Sequence, residues 1–110
     1  MGKHLFYLMS NDKMYLLHAF WNALDLAAKG GEVKIIFEGA AVKAPIEMKD
    51  NPAYQNALAG GLVAGVCLGC AEMMKVKGEI EALGLTLLAD MNNHAGISPY
   101  TEKGYAVLVF

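Results

Sequence analysis

Charge is scarce in this 110-residue sequence: charged side chains make up 18% and the formal net charge is −2. Soluble domains carry roughly 25% charged residues, and disorder requires low hydrophobicity with high net charge, so a disordered chain is excluded. The near balance of charge also removes any general electrostatic reason to bind nucleic acid or an anionic membrane. Long apolar runs are missing too. The longest stretch free of both charged and amide side chains, Ala57 to Ala71, has 15 residues and four glycines, short of the ~20 apolar residues of a spanning helix. The sequence contains no G-x-G-x-x-G and no phosphate loop with Gly-Lys-Ser/Thr, which removes the common nucleotide fingerprints. No serine sits in a nucleophile elbow. Only five apolar residues separate Met1-Gly2-Lys3-His4 from Ser10-Asn11-Asp12, too few for a signal peptide. The expected location is the cytoplasm, where thiols stay reduced and a structural disulfide is not expected.

What is present is apolar: 55% of the residues. A chain of this length makes one domain, residues 1–110, and its apolar excess is expected to continue into a subunit interface. Leu5 to Met9 is a short run without alternation, the pattern of a strand covered on both faces. Asn11 or Asp12 can cap the helix that follows, and Gly30-Gly31 can end it. After Lys13 its strongly polar side chains are His18, Asn22, Asp25 and Lys29, on one narrow stripe. A helix with so little wet face is expected to meet another subunit.

Val33–Phe37 reads as the second strand, and Pro45 is expected to interrupt any helix within 40–50. Asn51-Pro52 starts a helix through Ala59, and Leu62–Cys67 is the third strand. Short helices are expected from Cys70 to about Lys75 and from Glu79 to Leu83, then a fourth strand over Leu85–Ala89. Ser98-Pro99 is expected to cap a brief helix stopped by Gly104, before a fifth strand, Tyr105–Phe110. Five short strands with helical connections predict an α/β domain: three layers, α/β/α, around a five-stranded, mainly parallel sheet.

In such sheets ligands gather at the C-terminal ends of the strands. That rule places Asn11, Glu38, Cys67, Cys70 and His94 on one edge and leaves His4 and His18 off it. Cys67 stands where a strand gives way to a helix start, a position that favours a thiolate and requires that its sulfur be reachable by solvent. The alternative is an apolar filler in a buried strand. Cys67-x-x-Cys70 is also a redox-type spacing, with Cys70 as the resolving thiol. A zinc site normally takes four ligands, whereas this pair plus His94 supplies three from one chain, so no metal is expected. His94 is a candidate proton carrier. Asn11, Glu38 and Gly69 are candidate substrate contacts.

Several segments together resemble the DsrE/DsrF-like family (also called DsrEFH or YchN-like). They are Val63 to Met74 followed by Glu79-Ile80, Val33 to Gly39, Asn93-His94-Ala95-Gly96, and the closing Gly104 to Phe110. The resemblance implies a compact α/β/α fold assembled as a homotrimer or homohexamer. It also implies a sulfurtransferase-like role in which Cys67 carries sulfur as a persulfide between donor and acceptor proteins. The thiolate would be both nucleophile and carrier, so no cofactor is implied. Cys70 departs from the relay pattern, because a neighbouring thiol could attack the persulfide and leave a disulfide. A non-catalytic oligomeric binding protein and a Cys67/Cys70 dithiol redox protein stand as the alternatives.

Overall fold

The computed structural model describes residues 2–110. Its strands are β1 (Lys3–Leu8), β2 (Glu32–Phe37), β3 (Val63–Cys67), β4 (Leu87–Leu88) and β5 (Ala106–Val109). They form one sheet in the order β4-β3-β2-β1-β5. Every pairing is parallel, as in His4↔Val33, Leu5↔Val107, Phe37↔Val66 and Cys67↔Leu88. Parallel strands need crossover connections, and the helices supply them: α1 (Lys13–Ala28), α2 (Ala44–Glu47), α3 (Pro52–Ala59), α4 (Leu68–Met73), α5 (Lys77–Ala82) and α6 (Ser98–Thr101). The architecture is the three-layer α/β/α one expected, with a sheet that is wholly parallel.

Burial explains the apolar runs. Leu5, Phe6 and Leu8 of β1 and Val33, Ile35, Ile36 and Phe37 of β2 are all buried. The inner side of α1 contributes Leu16, Ala19, Phe20 and Ala23. Phe20, Phe37 and Tyr54 meet as an aromatic triangle with centroids 5.8–6.1 Å apart, fastening α1 and α3 to β2. Asp12 is the N-cap of α1, accepting from the N–H groups of Met14 and Tyr15, and Asn51 does the same for α3.

Several boundaries differ from expectation. The fourth strand shrinks to Leu87–Leu88, because only these two residues pair with β3. Pro45 lies in the first turn of α2, where its missing N–H costs nothing, so it opens a helix that it was expected to prevent. Ser98 is the first helical residue of α6 and not its cap, since the N-cap is Ile97. The cap of α4 is Cys67 itself, so the helix begins at Leu68 and Gly69 lies inside its first turn. On α1, Met14, Tyr15 and Trp21 are exposed. Among the described residues, no helix is long and apolar enough to cross a membrane.

Candidate functional site

Three loops after strands converge on one point. Cys67 ends β3 with extended backbone, and its Sγ caps α4 by accepting from the Cys70 N–H at 3.4 Å. The three-residue spacing brings Cys70 round to the same side of that first turn. Glu38 follows β2, and the Cys70 thiol donates to its Oε1 at 3.5 Å.

The third loop delivers His94. Met91 and His94 exchange backbone hydrogen bonds of 2.7 and 2.8 Å around Asn92 and Asn93, whose φ angles are 48° and 68°. Two successive left-handed residues make a tight two-residue turn, and asparagine tolerates that conformation better than most side chains. The turn is tied down on every side. Asn93 accepts through its carbonyl from the Gly69 N–H at 2.8 Å, and its side chain donates to Glu72 at 2.8 Å. The Gly96 N–H donates to the Asp90 carboxylate at 3.3 Å. The Tyr7 hydroxyl, from β1, donates to the Ala95 carbonyl at 2.8 Å. So fixed, His94 Nδ1 stands 3.1 Å from Cys67 Sγ and 3.4 Å from Cys70 Sγ, and the Ala95 N–H donates to Cys67 Sγ at 3.4 Å.

Gly69 belongs here for a steric reason. A Cβ at this position would lie 2.5 Å from the His94 ring and 2.8 Å from the Asn93 carbonyl oxygen. Only glycine lets the imidazole come so close to the helix. Its backbone makes room for His94.

The electrostatics are uneven. Burial, and then the hydrogen bond to Cys67, hold the Cys70 thiol above the ordinary thiol range, with Glu38 adding to the effect and the Gly39 N–H opposing it. Burial, then the Glu38 charge, pushes Tyr7 upward as well, keeping its hydroxyl a donor. Glu38 is 4% exposed, and its Oε2 has no hydrogen-bond partner among the described residues. Two backbone N–H groups and an imidazole nitrogen surround Cys67 Sγ.

Accessibility departs from expectation. Cys67 was expected within reach of solvent, but it is 0% exposed, whereas Cys70 is 9% exposed. The strand end tucks inward beneath α4 and the 91–96 loop. There it belongs to the buried core, and its Sγ also meets the polar groups named above. Cys70, not Cys67, opens onto a cavity of about 130 Å³ shared with Gly39, Ala40, Met73 and Met74.

Of the residues singled out in the sequence, Glu38, Cys67, Cys70 and His94 meet, with Gly69 making room. Their ligand-type atoms lie within 4.8 Å of one another, close enough to hold one metal ion. Asn11 does not join them. Its side chain donates to Glu47 at 2.8 Å and lines a separate cavity. His18 bonds the Met14 carbonyl on α1, away from the cluster. Tyr7 escaped the sequence reading, because it looks like any strand aromatic.

No family model matches the chain. It is 34% identical over 98 residues to uncharacterized protein MJ0733 of Methanocaldococcus jannaschii, covering 84% of this chain and 78% of that protein. Among solved structures it is similar to the conserved protein of unknown function BT1422 from Bacteroides thetaiotaomicron. That likeness has a TM-score of 0.75 at 22% identity, over 99% of this chain and 95% of the other, and shows a shared fold.

Proposed function

This chain belongs to the same family as MJ0733, and we propose that it is a DsrE-like sulfur carrier that holds a persulfide on Cys67. The observation that supports this most is the cradle around Cys67 Sγ: His94 Nδ1 at 3.1 Å and the N–H groups of Cys70 and Ala95 at 3.4 Å. The two N–H groups, and the imidazole when Nδ1 carries the proton, stabilise the thiolate, the form that attacks.

In the first step the Cys67 thiolate attacks the outer sulfur of a donor persulfide. A new S–S bond forms, the donor's S–S bond breaks, and the donor leaves as a thiolate. In the second step an acceptor thiolate attacks the outer sulfur on Cys67, and Cys67 departs as the thiolate. No net oxidation occurs. His94 takes and returns the proton that accompanies each exchange. Cys70 stands at the mouth, so sulfur enters past it with a shift of the exposed Met73 side chain.

Assembly as a homotrimer or homohexamer in the cytoplasm belongs to the same reading. Its support is the apolar surface that one chain leaves open at Met14, Tyr15, Trp21 and Val109. A second reading, a dithiol redox centre, is favoured by one observation: both sulfurs share His94 Nδ1.

Mass spectrometry after incubation with a small persulfide donor separates the two. The carrier gains one sulfur mapped to Cys67 and does not gain it in Cys67→Ser. A Cys67–Cys70 disulfide with sulfide released, and no persulfide retained, would establish the redox reading instead.

A further inference from the structure

We infer that Glu38, Cys67, Cys70 and His94 form a four-coordinate site for a thiophilic divalent cation of the zinc class. The inference does not rest on sulfur transfer, since the same four side chains would bind the cation whether or not Cys67 carries sulfur.

Geometry is the first argument. With metal–sulfur bonds of about 2.3 Å and metal–nitrogen bonds of about 2.0 Å, neighbouring ligand atoms of a tetrahedron stand roughly 3.5 Å apart. Here the separations are 3.1 Å for Cys67 Sγ to His94 Nδ1, 3.4 Å for Cys70 Sγ to the same nitrogen, and 3.5 Å for Cys70 Sγ to Glu38 Oε1. All four ligand atoms fall within 4.8 Å. Closing around a cation would need only small adjustments.

Glu38 supplies an independent argument. A buried carboxylate oxygen without a partner carries a desolvation cost that a cation would remove. Among the described residues, its Oε2 is such an atom. Ligand chemistry then selects the ion. Two thiolates and an imidazole favour zinc-class metals over magnesium or calcium, which take oxygen ligands.

The proton balance is definite. A divalent cation entering the reduced site displaces one proton from each cysteine present as thiol, and His94 binds through neutral Nδ1. Two thiolates and the Glu38 carboxylate then leave the centre with one net negative charge. The metal engages both sulfur lone-pair donors, so the metal-loaded and persulfide-carrying forms exclude each other.

Anaerobic titration of the reduced full-length chain with Co²⁺, followed by Zn²⁺, tests this. One Co²⁺ per chain should bind with intense visible bands of tetrahedral cobalt and a near-ultraviolet sulfur-to-cobalt band, both erased by Zn²⁺. Losing an outer partner of a metal ligand costs roughly 10–100-fold in affinity, and losing a ligand should cost at least that. Glu38→Gln should therefore weaken binding by at least about tenfold and keep the sulfur band. Cys67→Ser and Cys70→Ser should each lower that band, and Asp50→Asn, in the lining of the other cavity, should match the wild type. A wild-type titration without a sulfur-to-cobalt band overturns the inference, even if a variant fails to fold. So does a folded Glu38→Gln that binds as tightly as the parent. Metal binding without sulfur uptake by the chelated protein would overturn only the carrier reading, and sulfur uptake without metal binding only this one.

Discussion

Two hollows differ in size and in chemistry. The larger, about 420 Å³, is lined by Asn11, Lys13, Glu47, Asp50 and Asn51 among others, whereas the cysteine cavity is about 130 Å³. The larger one has ordinary surface groups that satisfy each other, as Asn11 and Glu47 do at 2.8 Å. At the smaller one, two thiols, an imidazole and a buried carboxylate crowd together, and one carboxylate oxygen has no partner among the described residues. Volume points to the larger hollow, whereas uncompensated polarity under cover points to the smaller one as the candidate site.

The largest effect expected from a test of this contrast is that of Gly69→Ala. The new Cβ would meet the His94 ring at 2.5 Å, so the imidazole or the helix must move. Overpacking of this kind costs about 1–3 kcal/mol. Urea denaturation should show that loss together with reduced sulfur uptake at Cys67. Normal stability with normal uptake would mean that His94 need not sit where it does. Tyr7→Phe comes next. It removes the donor to the Ala95 carbonyl, worth about 1 kcal/mol, and loosens the loop that holds His94. Faster alkylation of Cys67 in the variant would show the loosening directly, and an unchanged rate would argue against it. Asn11→Ala is the smallest, within about 0.5 kcal/mol because its partner is an exposed surface group. Its sulfur uptake should equal the parent's. A loss of uptake would return the larger hollow to consideration.

Much of the architecture was readable from the residues, and for physical reasons. Apolar runs without alternation marked β1 and β2, and Asp12 and Asn51 announced helix starts that they do cap. The edge rule brought Glu38, Cys67, Cys70 and His94 to one place, because parallel strands deliver their following loops to the same side. The rest depended on distances that no linear pattern contains. Cys67 could be assigned to a strand end, but its burial follows from the 91–96 loop folding over it. The sequence reading counted three possible ligands because Glu38, which lies 29 positions before Cys67, reads as an ordinary surface carboxylate. Gly69 looked like a helix-start glycine, and its true constraint is an imidazole from 25 residues later.

The marriage of β1 to β5 has a kinetic side. His4 must find Ala106 across nearly the whole polypeptide, and bringing such distant partners together costs entropy before any contact repays it. Pairing of β2 with β3, as at Ile36↔Gly65, spans far less chain. Refolding should therefore organise the thiol-bearing half early and add the outermost strand late, with a rate limited by contact order more than by local helix formation.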